Sequence, residues 1–257
     1  MKAIRIYFIL MFLTISLIGQ DAKEIVKESG NNNVTDNNGL KQGFWEEVQS
    51  DMVLRGSYLN GKKEGTWVIY NNNKTQINEI TTYKDDFKNG IELKFDAAGY
   101  VISENYYVND KLSGICREYE RSKLTKEISY KDGVFNGKYL VNYSDGKTRE
   151  EAFYTNGEKN GVSKWYYNTG KIAVEYYYVN GSLEGVQKEY YETGQVRSES
   201  IAVNNEYEGE YKEYFEDGKI KIIGTLKNSD KDGLWSEYSS EGKVIKKEKY
   251  KKGVLIQ

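Results

Sequence analysis

Apolar and aromatic residues of this chain fall in short runs of six to eight, and a turn signal closes each run. The runs are rich in Tyr, Val and Ile, which favour strands. One kind of turn signal is an Asn-Gly or Asp-Gly pair, such as Asn156-Gly157, whose residues tolerate the positive φ angles of a tight hairpin turn. The other is a glycine between these pairs, as at Gly170. Two turns in about 24 residues interrupt any helix, so each unit is predicted to be strand, turn, strand, turn.

A glycine opens each of these units and recurs at steps of 22 to 25 residues. The nine positions are Gly43, Gly65, Gly90, Gly114, Gly137, Gly161, Gly185, Gly209 and Gly233. A fixed period of this length is typical of stacked supersecondary units, each of which contacts only its neighbours. Residues 43–257 are therefore predicted to be all-β, an elongated antiparallel meander of about nine stacked β-hairpin repeats.

Aromatic residues occupy fixed positions within the repeats and form three columns. The main column, five residues after the opening glycine, contains Tyr70, Phe95, Tyr119, Tyr166, Tyr190, Tyr214 and Tyr238. The second column, two residues after that glycine, contains Trp45, Trp67, Tyr139, Tyr211 and Trp235. The third column, near the end of the second strand, contains Tyr107, Tyr154, Tyr178 and Tyr250. In a meander these columns become rows of neighbouring rings, which contribute roughly 0.2–1 kcal/mol for each cross-strand pair.

The loop lengths predict the pairing register. If the mid-repeat turn is a three-residue loop, Tyr166 faces Ile172, and the same pairing recurs in the next two repeats (Tyr190 with Val196, Tyr214 with Ile220). A three-residue loop keeps the side-chain parity across a turn, whereas a two-residue loop changes it. One loop of each kind per repeat would therefore move every column to the other face of the sheet in the next repeat. Because they repeat in kind, we predict one β-bulge per repeat, at the opening glycine, where a positive φ costs little.

The N-terminal residues have the pattern of a secretory signal peptide. Lys2 and Arg5 precede an apolar run over residues 6–18, and the small residue Gly19 follows it. We predict a signal peptide over residues 1–20 and a flexible Asn-rich leader over residues 21–42. The protein is then exported to the periplasm, the cell surface or the medium, and it keeps no integral membrane segment after cleavage. The apolar run is short for a membrane span, and an uncleaved N-terminal anchor is the alternative.

Composition argues against several classes of function. The chain has 37 basic and 39 acidic residues, a net charge of −2, so no nucleic-acid partner is predicted. It has no histidine, the commonest metal ligand and general base. We therefore predict no enzymatic activity, no catalytic residue, no cofactor and no metal site. Cys116 is the only cysteine and is interpreted as a small apolar residue on the sheet, because no histidine could activate it.

The repeat resembles a known family. The pattern G-x-x-x-[WEY]-[YF]-x-x-x-G, followed by a glutamate, an aromatic residue and Asn-Gly, is clearest over residues 161–184 and 185–208. It resembles the MORN repeat in its variant bacterial form, and chains of this kind are grouped with the YwqK-type antitoxin family. The resemblance implies a single-layer antiparallel sheet that is curved and twisted, with a binding or scaffolding role and no catalytic residues.

The glutamate column and the aromatic columns are the candidate sites. Glu151, Glu175 and Glu199 recur at one strand position, and a carboxylate repeated in several units is interpreted as structural, linked to neighbouring lysines. The aromatic rows either stabilise the sheet or expose part of a row for binding. Trp165 is the strongest interior candidate, because its column is otherwise mostly polar. The candidate binding surface is Trp165, Tyr166, Tyr190, Tyr214 and Tyr238.

These observations predict an exported, non-catalytic repeat protein that binds a protein partner or acts as a scaffold at the cell envelope. A glycan or a lipid is an open alternative as its ligand. The alternative from another class is an antitoxin or immunity protein that neutralises a toxin by direct binding. Residence in the cytoplasm would favour the antitoxin, and secretion with a shortened N-terminus would favour the envelope role.

Overall fold

The computed structural model describes residues 32–257, which are all-β and contain no helix. The predicted signal peptide and the first part of the predicted leader, residues 21–31, lie outside the described residues. The chain divides into two compact units at Lys111–Leu112. Within each unit, consecutive long strands pair antiparallel, so the predicted meander of hairpin repeats is confirmed.

In the first unit, pairing begins at Val34, ahead of the Gly43 where the repeat array was predicted to begin. The strands are β1 (Val34–Thr35), β2 (Lys41–Gln49), β3 (Met52–Leu59), β4 (Lys62–Asn71), β5 (Ile77–Lys84), β6 (Phe87–Phe95) and β7 (Val101–Val108). The two-residue strand β8 (Lys111–Leu112) lies at the division between the units. The Asp36 carboxylate accepts backbone N–H bonds from Asn38 and Leu40, which closes the turn between β1 and β2.

The second unit repeats the same hairpin, and a short accessory strand follows four of its turns between repeats. Its strands are β9 (Gly114–Glu120), β10 (Lys123–Lys131), β11 (Val134–Asn142), β12 (Thr148–Thr155), β13 (Glu158–Lys159), β14 (Gly161–Tyr166), β15 (Ile172–Val179), β16 (Ser182–Leu183), β17 (Gly185–Tyr190), β18 (Val196–Val203), β19 (Glu206–Tyr207), β20 (Gly209–Tyr214), β21 (Ile220–Lys227), β22 (Asp230–Tyr238), β23 (Val244–Lys251) and β24 (Val254–Leu255). Each opening glycine stands within or at the start of the first long strand of its repeat.

The Asn-Gly turns have the predicted conformation. Asn156 and Gly157 have φ angles of 51° and 88°, both positive, as a two-residue hairpin turn of this type requires. The backbone keeps this conformation where other residues replace the Asn-Gly pair. Asn228 and Ser229 have φ angles of 49° and 67°. The turn geometry is therefore kept even where a residue other than glycine must adopt the left-handed region.

The mid-repeat turn is the predicted three-residue loop. Tyr167 N donates to Lys171 O at 2.8 Å, and Gly170 N donates to Tyr167 O at 2.8 Å. Outside this loop Tyr166 faces Ile172, as predicted, and the pairing recurs in the next two repeats (Tyr190 with Val196, Tyr214 with Ile220).

The predicted position of the bulge was wrong. The one-residue shift that restores parity lies beside the mid-repeat turn, because Trp165 faces Val174 while Tyr166 faces Ile172. Ala173 is the extra residue. At the opening glycine the pairing with the preceding repeat shifts by two residues, which leaves the parity unchanged: Tyr154 faces Lys159, but Glu151 faces Lys164.

The first unit buries apolar side chains on both faces of its sheet. Trp67 and Val68 are consecutive in β4 and therefore point to opposite faces. Val68 is fully buried in a cluster with Val53, Tyr70, Ile80 and Phe95. Trp67 is 2% exposed in a second cluster with Leu54 and Tyr58. These two clusters form the core of the first unit.

Recurring side-chain bonds join successive repeats of the second unit. The tyrosine that follows the main column donates its hydroxyl to the backbone carbonyl of the main-column tyrosine in the next repeat. The pairs are Tyr143 to Tyr166 at 2.6 Å, Tyr167 to Tyr190 at 2.7 Å and Tyr191 to Tyr214 at 2.7 Å. The next residue in this series is Phe215, which has no hydroxyl to donate.

We expect Tyr167→Phe to destabilise the second unit by about 0.5–1.5 kcal/mol, because one hydrogen bond is lost while the ring remains. Phe215→Tyr should stabilise the second unit, because it supplies the hydroxyl that this position of the series lacks. Urea unfolding followed by circular dichroism measures both changes. The same sign for the two variants would contradict the role assigned to this hydroxyl.

Candidate binding surface

Side chains of the second unit alternate between the two faces of its sheet. We call face A the side that carries Trp165 and Tyr176, whose rings are 5.9 Å apart. Face B is the side that carries Lys164 and Glu175, which are paired residues of β14 and β15. Consecutive residues of a strand lie on opposite faces, and directly paired residues lie on the same face.

The five predicted binding residues do not share one face. Trp165 lies on face A, and the adjacent Tyr166 lies on face B. The other tyrosines, at the equivalent position in the next three repeats, are on face B with Tyr166. All five side chains are half-buried. We call Tyr166, Tyr190, Tyr214 and Tyr238 the tyrosine row.

Trp165 is held by contacts within its own chain. Lys159 Nζ lies 4.5 Å from the centre of the Trp165 ring and 5.4 Å from that of Tyr178. Lys231 sits in the same way over Trp235 and Tyr250, at 4.4 and 4.9 Å. A lysine two residues before the opening glycine therefore covers the rings of its repeat through cation–π contacts. These contacts account for the half-burial of Trp165 without a ligand.

The glutamate column lies on face B and alternates with lysines across six long strands. Successive pairings along these strands are Glu151 with Lys164, Lys164 with Glu175, Glu175 with Lys188, Lys188 with Glu199 and Glu199 with Lys212. We call these six residues the charged row. The predicted link of the glutamates to lysines is confirmed for Glu175, whose carboxylate is 3.5 Å from Lys164 Nζ, and for Glu199, 2.9 Å from Lys188 Nζ.

Hydrogen bonds join the charged row to the tyrosine row. Tyr166 donates its hydroxyl to Glu151, and Tyr214 donates to Glu199 at 3.1 Å. The hydrogen bond from Lys188, with that from Tyr214, holds the pKa of Glu199 below its ordinary value. Burial, with the hydrogen bond to Glu151, raises the pKa of Tyr166 well above its ordinary value. Glu199 is therefore ionised and the Tyr166 phenol is protonated at neutral pH.

An exposed apolar row runs beside the charged row and was not identified from the sequence. Its members are Phe153, Val162, Tyr177, Val186 and Ile201, which are 52%, 37%, 42%, 51% and 42% exposed. They come from five successive long strands, β12, β14, β15, β17 and β18. The signal in the sequence was the apolar residue directly after the opening glycine, as at Val162 and Val186. A contiguous apolar row on the surface of a soluble domain marks an interaction site more often than scattered single residues do.

Face A of the same unit has an open depression of about 200 Å³. Its lining residues are Tyr176, Gln187, Glu189, Ser198, Ser200, Tyr207, Tyr211 and Leu226. Gln187 forms hydrogen bonds with the backbone of residues 177, 184 and 185. Burial raises the pKa of Glu189, but hydrogen bonds from Arg197 and Ser198 outweigh it, and the net pKa is lowered. These polar groups therefore already have partners within the chain.

Cys116, possible metal ligands and membrane-spanning helices were the other features to be located in the structure. Cys116 is 6% exposed and faces Ile128, in agreement with its interpretation as a small apolar residue of the sheet. Among residues 32–257, no three side chains of the His, Cys, Asp and Glu types cluster as metal ligands would. The part of the chain that the structure describes contains no helix able to span a membrane.

Repeating hairpins with fixed rows on each face define a β-hairpin repeat protein. The sequence profile of the MORN repeat variant matches four segments of the chain, residues 159–180, 183–204, 207–228 and 231–252. Each segment begins two residues before an opening glycine and ends before the next such position, so it contains one hairpin. The resemblance to the MORN repeat is confirmed for these four repeats. Comparison with curated proteins found no match.

Proposed function

We propose that this chain is a non-catalytic binding protein whose apolar row on face B contacts a protein partner. Five apolar side chains on five successive long strands, 37–52% exposed, carry this proposal. The charged row beside them supplies polar groups at the edge of the contact, the usual arrangement of an apolar interface centre with a polar rim. The four MORN-variant repeats support a binding or scaffolding role for this unit.

The proposed location is the cell envelope or the medium, which rests on the signal-peptide pattern of residues 1–20. The antitoxin role is the alternative, and it also acts by binding a protein. Mass spectrometry of the mature N-terminus distinguishes the two. An N-terminus near residue 20 supports export, and an intact Met1 in a cytoplasmic fraction supports the antitoxin.

We expect Val186→Lys to reduce partner binding at least tenfold, because it places an ammonium in the middle of the apolar row. Val186 is 51% exposed, so the fold should tolerate the change. The tagged chain is expressed in the producing organism, cross-linked and purified, and the protein bands captured with wild type and variant are quantified. Circular dichroism checks that the variant is folded.

Leu255→Lys is the matched control. Leu255 is also 51% exposed, and it faces Tyr250, whose ring contacts Trp235 on face A. The control should retain every band that the wild type captures. Equal losses in the two variants, or no loss in either, would contradict a binding role for the apolar row.

A further inference from the structure

We propose that the partner of face B is a second copy of this chain, and that the two copies pair through the apolar and charged rows about a twofold axis. The inference rests on the proposed function, since it names the occupant of the same surface. The observation that carries it is the order of charges in the charged row. Read from Glu151 to Lys212, the signs alternate over six strands and start negative. Read backwards, they start positive.

A row with this order is complementary to itself. Two sheets packed face to face can be related by a twofold axis that lies between them and runs parallel to the strands. Such an axis reverses the order of strands but keeps each row opposite the same row. If it passes between β15 and β17, Glu175 lies against Lys188 of the second copy, and each other charge also meets its opposite. The arrangement is isologous, as closed dimers are.

The same axis brings the apolar rows together. Tyr177 then lies against Val186 of the second copy, and Val162 lies against Ile201 of the second copy. Tyr177 and Val186 are 42% and 51% exposed, so they have surface left to bury. The packing of two twisted sheets is closest near the axis. These two central residues and the two central charges should therefore contribute most.

Burial of the charged row leaves no charge without a partner. Lys164 with Glu175 and Lys188 with Glu199 already form pairs within the chain, and these side chains are only 30–34% exposed. Partners in the same chain and partners in the second copy therefore both offset the free-energy cost of removing these charges from water. The contact area follows from the six strands, spaced ~4.8 Å apart, and from three rows of face B, spaced ~6.8 Å apart: the apolar row, the charged row and the adjoining tyrosine row. Together they cover about 590 Å² per copy, about 1,200 Å² in total, which is the lower limit for a specific interface. A reversible, concentration-dependent dimer is expected.

The first test is sedimentation velocity of the full chain over a concentration series, with wild type and Lys188→Glu. The wild type should dimerise, and Lys188→Glu should raise the dimer dissociation constant at least tenfold, because carboxylates then face each other twice across the axis. Lys243→Glu is the control, since it makes the same charge change at a turn lysine that is 79% exposed. Circular dichroism checks the fold of each variant.

The second test reverses all six charges of the row in one chain. The substitutions are Glu151→Lys, Lys164→Glu, Glu175→Lys, Lys188→Glu, Glu199→Lys and Lys212→Glu. The reversed row still alternates, so its intrachain pairs and its self-complementarity remain. It should form a dimer with itself but no mixed dimer with the wild type, which affinity capture between differently tagged chains measures.

Four outcomes decide between the hypotheses. Formation of mixed dimers between wild-type and reversed chains would overturn the inference, as would equal weakening by Lys188→Glu and Lys243→Glu. A wild-type chain that stays monomeric while Val186→Lys still loses a captured protein would overturn the second copy as partner and leave the proposed function standing. A monomeric wild type with no effect of Val186→Lys on capture would remove both.

Discussion

Trp67→Ala is expected to destabilise the first unit by about 3–5 kcal/mol, the largest effect of any single substitution considered for this chain. Trp67 is 2% exposed, and its ring packs edge-on against Tyr58 at 4.9 Å. Lys63 Nζ covers the ring at 4.5 Å, and the indole N–H donates to Ser57 O at 3.1 Å. Removal of the ring therefore leaves a cavity in the core of this unit, and the Lys63 ammonium loses its contact with the ring.

Trp165→Ala is the matched control, because Trp165 is half-buried and has a similar lysine contact. It should cost less than half as much as Trp67→Ala. Urea unfolding by circular dichroism measures the loss, and amide hydrogen exchange localises it to residues 32–111. Exchange that increases equally in the two units, or equal losses in the two variants, would contradict a core role specific to Trp67.

Gly224→Ala is expected to destabilise the second unit by about 1–3 kcal/mol, because a Cβ at this position has no space. An ideal Cβ would lie 2.2 Å from Trp235 Cδ2. The ring cannot easily move away, since Lys231 Nζ covers it at 4.4 Å and its N–H donates to Thr225 O at 3.1 Å. The φ of Gly224 is not in the left-handed region, so the ring contact and not the backbone is the cause.

The measurement is the free energy of unfolding in urea, with tryptophan fluorescence as a second signal. Ser200→Ala is the control, since Ser200 occupies the equivalent position in the preceding repeat and already has a Cβ; it should change stability by about 0.5 kcal/mol or less. Adding Trp235→Leu to Gly224→Ala should remove most of the extra cost. Additive effects of the two substitutions would show that the Cβ and the ring do not collide.

Much of the fold could be predicted from the sequence because the turns are encoded locally. Asn156-Gly157 and Gly170 have the positive φ angles that their residue types favour, and the three-residue loop places Tyr166 opposite Ile172 as expected. The bulge was misplaced, because the parity argument requires an odd shift somewhere in each repeat but does not say where. The structure puts it at Ala173, beside the turn.

The candidate surface was predicted less well, because its arrangement depends on register between repeats. Tyr178 faces Leu183, and three residues earlier Glu175 faces Lys188, so the register changes by two residues between these pairs. Without that change Glu175 would face Val186, and the charged and apolar rows would be mixed. The opposite placement of Trp165 and Tyr166 was already available from the alternation of side chains along a strand.

By itself the sequence determined the hairpins, the turn conformations and the columns of the repeat, because each depends on residues close together in the chain. The tertiary structure alone decided which of these side chains are buried. Trp67 is almost fully enclosed where Gly56 leaves room beneath its ring, whereas Trp165, opposite Val174 and beside Tyr176, stays half-buried. Burial depends on the sizes of neighbours that are brought together by register, and no local pattern contains that information.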